Sequence, residues 1–578
     1  MEKSDLLEFM KTYGIEYTYE KQIPNGVLFP LKQCPFCDGS HIDGAYIIHY
    51  NKGAVLGRCH HASCKDANFK QLYEAKTDKP YHENVKKGFT VGSDFKQIDK
   101  LIEDGLLELF FDEFGNPTAR VQSVDKKSMI CMPLSSGQLR IHIQFLLYER
   151  TGDIKKKQDF EPVKDYLLIQ TYKQNTRRIL HKRICNLGNK IIYELDKDTN
   201  VCVVITKDDI SISDEETVYF YHSKYYSNQV YPSFDKVDDS KLLITLLNKH
   251  FNFSNNDTTA LFAIYLVSCF LGTGINHPLM SVSGQKGSGK SSAIRRFCEL
   301  VDPKLIGLGN IPKNENDLSL KVSQSYVTDF DNLSYLNKDI SNLLCRCATG
   351  GCDSRRTLYE NMDETVFNLK SIIVMNGIDV VIKESDLIDR TVFFNLKRLE
   401  AGQLKTEAEL DAEFEKDKPV ILGLCFMILQ RAMNDSEPID REEMLRMADF
   451  YEWSIKIGRA IGYKDEYVVR ILKKNQKQAV HQSLEENPVA YVFLNYMEYY
   501  DERVHTVSDL LKVLKKVAGE LQIDQSYLPK KPNVLSRRLN EIESDLKEEG
   551  ITFEIKNKGY GKEITIRNSK PKRIPIEI

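Results

Sequence analysis

The chain has 578 residues, 42% of them hydrophobic and 28% charged, with a formal net charge of −3. At about 100 to 200 residues per domain it holds roughly three or four domains, and its composition excludes a disordered or integral-membrane chain. The charge balance supplies no global positive field, so any binding of nucleic acid must come from local basic surfaces. Met1-Glu2-Lys3-Ser4-Asp5 opens an acidic amphipathic segment rather than a secretory leader. A cytoplasmic location with no membrane partner is expected.

The first element with chemistry lies in residues 1–75. Four of the 13 cysteines fall between Cys34 and Cys64. Cys34-Pro35-Phe36-Cys37 is a C-x2-C knuckle, and Cys59-His60-His61-Ala62-Ser63-Cys64 supplies a second pair of thiols. The stretch between them reads as a hairpin, Gly44 to Tyr50 and Ala54 to Arg58 around Asn51-Lys52-Gly53. Two local thiol pairs in a cytosolic chain suit tetrahedral Zn²⁺ better than disulfides. Cys34, Cys37, Cys59 and Cys64 are the expected ligands of a closed, structural zinc-binding module, with His60 or His61 able to replace a thiol.

Residues 90–235 form a middle domain without an interpretable motif. Strand-like runs (Leu107 to Phe111, Ser128 to Met132, Ile192 to Leu195, Val201 to Ile205, Val218 to Tyr221) alternate with helical ones. A basic cluster of Lys173, Arg177, Arg178, His181, Lys182 and Arg183 fits either a helix turning its charged face to water or a DNA-binding collar. The adjacent acids Asp112-Glu113 and Asp208-Asp209 point to opposite faces of a strand, so the paired metal-binding aspartates of a primase are not found here.

Residues 240–475 carry the clearest signal. The apolar run Ala260 to Gly272 is too short for a membrane span and reads as a buried helix. Next, Pro278 to Val282 feeds Gly284-Gln285-Lys286-Gly287-Ser288-Gly289-Lys290-Ser291, which fits G-x-x-x-x-G-K-[ST], and Ser292 continues into a helix. Backbone N–H groups along this loop converge on phosphates, Lys290 reaches the β and γ oxygens, and the Ser291 hydroxyl ligates Mg²⁺. ATP and Mg²⁺ are the expected cofactors.

Ser325 to Asn332 reads as a strand ending in carboxylates, with Asp329 and Asp331 on one face. Asp331, at its end, is the expected metal aspartate. Asn332 follows where a catalytic acid often stands, and an asparagine cannot act as a base, so Asp329 or a carboxylate elsewhere must polarise the attacking water. Ser371 to Met375 is a second strand that ends in Asn376, an amide placed to sense the γ-phosphate or the water. Arg390, at a helix end just before the strand Thr391 to Phe394, can project to a subunit edge as an arginine finger.

The runs Asp331-Asn332-Leu333-Ser334, Leu343 to Gly351, Arg356-Thr357-Leu358-Tyr359, Met375-Asn376-Gly377-Ile378 and Asp386 to Arg390 together resemble the AAA+ ATPases of phage and mobile-element replication proteins. The resemblance is to the MCM-like, self-loading Cch helicases of staphylococcal cassette chromosomes and to the replication initiators of related pathogenicity islands. It spans about Phe251 to Phe394 and runs more loosely through Arg446 to Phe450, which makes Arg446 a candidate nucleotide ligand. The resemblance implies a ring-shaped, hexameric, ATP-driven DNA helicase with Asp331 as the Walker B aspartate and Asn376 as sensor 1. A hairpin pattern, Ser354 to Glu360 and Glu364 to Leu369 around Asn361-Met362-Asp363, corresponds to one that enters the ring channel in that superfamily. Its acidic turn leaves Arg355 and Arg356, with Lys313 from another loop, either to grip single-stranded DNA or to serve as solvated charges or salt-bridge partners.

Residues 485–568 read as three helices and a β-hairpin, a winged helix-turn-helix. Asn487-Pro488 starts the first helix, Thr506 caps the second, and Lys530 opens the third, with Lys531, Asn533, Arg537 and Arg538 near its start. That end enters a major groove in such folds, and Lys556, Lys558 and Lys562 on the wing would meet phosphates. The expectation is thus an α/β multidomain protein: a zinc-ribbon module, a middle domain, an AAA+ core and a winged helix that binds duplex origin DNA. A primase-helicase, or an ATP-regulated origin-binding protein without unwinding activity, are the competing readings.

Overall fold

The computed structural model describes residues 3–36, 44–51, 53–60, 64, 68–77, 91–152, 160–235, 240–356, 364–377, 382, 384–398, 406–442, 444–559 and 561–571. Two compact units arise, Met1–Gly105 with Gln144–Leu167, and Leu106–Ile143 with Leu168–Ile578. In the first, β1 (Lys21–Ile23), β2 (Gly26–Pro30), β3 (Ala45–Tyr50) and β4 (Val55–Cys59) form an antiparallel sheet in that order, with helices α1 (Lys3–Thr12), α2 (Phe69–Thr77) and α3 (Val91–Glu103). The expected hairpin is β3–β4. Alternate residues of β3 are buried, and Ala45 and Ile47 face a core of Leu6, Phe9, Phe29 and Phe69, the period-2 pattern of a half-covered sheet.

The second unit opens with an antiparallel sheet of β5 (Leu107–Phe111), β6 (Pro117–Gln122) and β7 (Met129–Pro133). Next in sequence come helices α4 (Gly137–Thr151) and α5 (Glu161–Gln174), of which residues 144–151 and 161–167 belong to the first unit, then a meander of β8 (Ile184–Asn186), β9 (Lys190–Asp196), β10 (Val201–Thr206) and β11 (Ile210–Ser213). The expected strand at 218–221 is absent; Phe220 and Tyr221 make only isolated bridges to His181 and Cys131. Ile191 to Leu195 of β9 are all buried, the continuous pattern of a strand covered on both faces. Ile191, Tyr193 and Leu195 are covered by α7 (Asn256–Cys269), which follows α6 (Ser240–His250), and by α12 (Glu407–Asn434), while Ile192 on the other face packs with Cys185, Cys202 and Phe220. The apolar run is thus a core helix, and no helix of the described residues is long and apolar enough to cross a membrane.

The central sheet is parallel. Its strands are β12 (Leu279–Gly284), β13 (Val327–Leu333), β16 (Ile372–Gly377) and β17 (Thr391–Leu396), in the order β13-β16-β12-β17. Helices α8 (Lys290–Val301), α9 (Glu315–Ser323), α10 (Lys338–Thr349) and the short α11 (Ser385–Ile388) lie between them in sequence, and β14 (Cys352–Arg356) and β15 (Glu364–Asn368) form a separate ribbon. Helices α13 (Ala448–Ile461) and α14 (Asp465–Glu486) lead to the C-terminal elements α15 (Pro488–Met497), β18 (Glu502–Thr506), α16 (Val507–Glu520), α17 (Pro532–Glu541), α18 (Glu543–Glu548), β19 (Ile551–Lys558) and β20 (Gly561–Asn568). The last three strands pair as β18-β20-β19. Leu535, Leu539 and Ile566 share one apolar cluster with Leu343 and Ile388 beside the central sheet.

The basic cluster in the middle region meets neither water nor DNA through all its members. Lys182 and Arg183 are buried, at 7% and 1% exposure. The Arg183 guanidinium pairs with Asp302 at 3.1 Å, donates to the carbonyls of Glu194, Ser227 and Pro303, and lies 3.6 Å over the Tyr226 ring. Composition could not reveal this, because a buried cation and a solvated one look alike until the partners from distant segments are in place.

Candidate nucleotide site and nucleic-acid interface

The glycine-rich loop leaves β12 and enters α8 as its spacing requires. Gly287 and Gly289 adopt φ of 81° and 82°, a region costly for any residue with a Cβ, and Gly289 is the N-cap of α8. A Cβ on Gly284 would lie 2.7 Å from Ser288 Oγ and 2.9 Å from the Leu396 carbonyl. Gln285 and Lys286 are exposed and Ser288 is buried. The Lys290 ammonium donates to the carbonyls of Gly284 and Gln285 at 2.6 and 3.2 Å; burial pushes it below its ordinary value against the pull of Asp331. Ser292 follows on the first turn of α8, where free backbone N–H groups and the helix dipole favour an anion.

Three side chains converge beside this loop. Ser291 Oγ donates to Asp331 Oδ1 at 2.8 Å, and Asn376 Nδ2 donates to the same oxygen at 2.6 Å. Asn376 Oδ1 accepts from the Asn332 N–H at 2.6 Å. The pairing of β13 with β16 is interrupted between Phe330 and Leu333, and Asn332 there has φ 56°. This break turns the strand end so that Asp331 meets Ser291 while its neighbour's amide meets Asn376, a use of strand irregularity common at sites. The residue that sequence reasoning treated as a missing base is the one whose backbone ties the two strands together.

Asp329 is not part of this group. Its carboxylate accepts from Lys304 at 3.1 Å and from the Gly309 N–H at 2.9 Å, and it is 6% exposed. Burial alone would lower the Lys304 ammonium, but Asp329, Cys298 and Asp302 outweigh it and hold it above its ordinary value. A carboxylate so committed is unavailable to polarise water, which corrects the catalytic role expected from strand alternation.

Arg390 and Arg446 lie elsewhere. Leu279 donates to the Arg390 carbonyl at 2.7 Å, and Leu279 pairs with Thr391. Arg390 is therefore at the start of the strands, about 17 Å along β12 from Gly284. Its guanidinium pairs with Asp386 Oδ1 at 2.6 Å, and Arg446 pairs with that same oxygen at 2.6 Å and with Asp389 at 3.1 Å. The two arginines hold Asp386 below its ordinary value despite burial. Arg446 thus stands with Arg390 and not with the phosphate-binding loop of its own chain.

Arg355 and Arg356 are on β14, opposite Thr365 and Glu364, with their side chains and the turn 357–363 outside the described residues. Lys313 is exposed just before α9. In the C-terminal module, α17 begins at Pro532 with Lys531 as its N-cap, two residues later than expected. Lys530, Lys531, Asn533, Arg537 and Arg538 are all exposed, with Arg538 donating to the Tyr527 carbonyl at 2.9 Å. On the β19–β20 hairpin Lys556 pairs with Glu554 at 2.9 Å, Lys558 lies 3.8 Å from Glu563, and Lys562 is exposed.

In the first unit the sulfur atoms of Cys34, Cys59 and Cys64 lie within 4.8 Å of one another, all buried, and could hold a metal ion. Cys37 and His61 lie outside the described residues, and His60 is exposed, packing its ring against Tyr46 at 5.3 Å.

Residues 244–472 match the family model of the actinomycete integrative conjugative element replication protein, and residues 489–575 match that of the C-terminal domain of the same protein. Over these residues the chain is similar to a replication protein. Among curated proteins no match was found. Among solved structures, the apo NrS-1 C-terminal region is 13% identical, covering 82% of this chain and 99% of that one with a TM-score of 0.35. The SCCmec type IV Cch active helicase is 16% identical, covering 75% and 89% with a TM-score of 0.35.

Proposed function

We propose that the chain is an ATP-driven DNA helicase that serves replication of a mobile genetic element and works as a closed ring, a hexamer by the resemblance. The carrying observation is the Ser291–Asp331–Asn376 convergence beside a glycine-rich loop at the carboxyl end of a parallel sheet. Ser291 and Asp331 would hold Mg²⁺, which supplies neutralisation of phosphate charge when bound. Lys290 binds the phosphates, and Asn376 orients what stands beyond them. The distance of Arg390 and Arg446 from their own loop supports their action on the nucleotide of a neighbouring subunit. An edge that offers two cations and a loop that takes anions complement each other across copies, which favours a ring over a lone subunit. A purified-protein strand-displacement assay with ATP tests the reading; ATP hydrolysis without displacement on any forked substrate would leave the origin-binding switch instead.

The other modules fit this role. The helix, strand, three helices and hairpin of residues 488–568, one short helix (α18) more than expected, support a winged helix, with exposed cations on α17 and the wing available for duplex DNA. Three buried thiols, with Cys37 as a fourth from the sequence, suit a structural Zn²⁺ site that stabilises the N-terminal module.

A further inference from the structure

The middle region grips the β14–β15 ribbon at its root. Asn116, in the turn between β5 and β6, donates through Nδ2 to the Val366 carbonyl at 3.1 Å and accepts the Val366 N–H at 3.4 Å through Oδ1. Both backbone groups of one β15 residue therefore meet one side chain, which acts as a short substitute for a neighbouring strand. The turn that presents Asn116 is itself locked: Asp112 accepts from the Asn116 N–H and from its Nδ2, each at 2.7 Å, and from the Phe114 N–H at 2.9 Å. Next to it Glu113 accepts from the Leu180 N–H at 3.0 Å, and the Asn368 side chain favours its charged form against burial. Then Lys182, the buried cation, donates to the carbonyls of Val322, Asn368 and Lys370 at 3.1, 3.2 and 3.1 Å.

The contacts to Val366, Asn368 and Lys370 fall on the step from β15 into β16. Near the end of strand β16 stands Asn376, which touches Asp331. The ribbon and the nucleotide-sensing amide are thus the two ends of one short run of chain, and the middle region holds that run between them. A ribbon of two strands has little rigidity of its own, so its root sets how a load on it is passed on.

We propose that Asn116, Glu113 and Lys182 form a clamp that positions the β14–β15 ribbon and couples what the ribbon grips to Asn376. The coupling half rests on the reading of this ribbon as the element that meets DNA. None of the three touches nucleotide, so they are positioning residues. Their chemistry is legible only in the fold: the sequence offers Asp112-Glu113 as an adjacent acidic pair on opposite faces of a strand, and Lys182 as one member of a basic cluster.

The test uses the full-length chain with oligothymidylate as the DNA. Asn116→Ala should speed hydrogen exchange of peptides covering 364–370 about fivefold, the effect of one lost hydrogen bond, while basal ATPase stays within about twofold. It should also abolish most of the stimulation of ATPase by oligothymidylate, which a merely structural contact would leave in place. Lys182→Met should move the same peptides. Unchanged exchange in a folded Asn116→Ala protein overturns the clamp. Faster exchange with full DNA stimulation overturns the coupling, provided that Arg355→Ala with Arg356→Ala abolishes stimulation. If the double arginine variant is itself stimulated normally, the ribbon does not meet DNA, and the coupling falls together with that part of the functional reading.

Discussion

At the carboxyl ends of β12, β13 and β16 the sheet presents Lys290, Ser291, Asp331 and Asn376; at the amino end of β17 it presents Arg390 and Arg446. The first group is rich in ligands for a metal and in donors for phosphate, and its members touch one another. The second is two cations sharing one carboxylate oxygen of Asp386, with no phosphate-binding loop beside it. On the proposed reading, the difference is what one subunit lacks. A parallel sheet gathers loops at its carboxyl end, so residues at the other end would complete the site only if a second copy brought them. Asp386 and Asp389 hold the arginine pair in place, which reduces the ordering entropy lost on docking.

The largest expected effect is at the first end. Lys290→Ala should reduce ATP hydrolysis and strand displacement to background with the fold intact, since its ammonium contacts loop carbonyls rather than core; hydrolysis rate and circular dichroism check this. Unwinding at the parent rate would remove the motor reading.

Arg390→Ala should cost about 10³-fold in hydrolysis. Mixing Arg390→Ala subunits with Lys290→Ala subunits sharpens the comparison, because some interfaces then pair an intact loop with an intact arginine and should recover activity. No recovery at any ratio, with mixed rings demonstrated, would mean that the two ends do not meet.

A smaller effect is expected away from the sheet. Arg537→Ala with Arg538→Ala should weaken origin binding by about 1 to 3 kcal/mol per lost base contact, or flatten its salt dependence if the contacts are to phosphate. An unchanged footprint and salt response would assign α17 to protein contacts. Point substitutions suit this test better than truncation, because Leu535, Leu539 and Ile566 share a core with Leu343 and Ile388.

The smallest effect separates the buried cations from the exposed ones. Burial pushes Lys182 from its ordinary 10.5 down to about 8. Below about 8 both folded and unfolded chains hold the proton, so this group adds no pH slope. Between about 8 and 10.5 the unfolded chain holds more protons, so stability should rise with pH by roughly 1 kcal/mol per pH unit. Denaturant titrations across that window should show this increment in the parent and lose it in Lys182→Met. An identical slope in both proteins would mean that Lys182 is not a buried titrating group.

Much of the nucleotide site was legible because its geometry is local. Gly287, Gly289, Lys290 and Ser291 are adjacent in the chain, and the backbone conformation they need admits few other residues. Asp331 and Asn376 could be read because each ends an apolar strand. Helix starts at Asn487 and Thr506 were legible for the same reason, since a cap is decided by a few neighbours. What only the tertiary structure decided was the fate of charges. Asp329 and Asp331 are two residues apart, yet one is neutralised by Lys304 and the other meets Ser291; Lys182 is a core cation and Lys313 an exposed one. Sequence states that a side chain is charged, but its partners come from segments tens to hundreds of residues away, and only folding brings them within the few ångströms over which charge pairing acts.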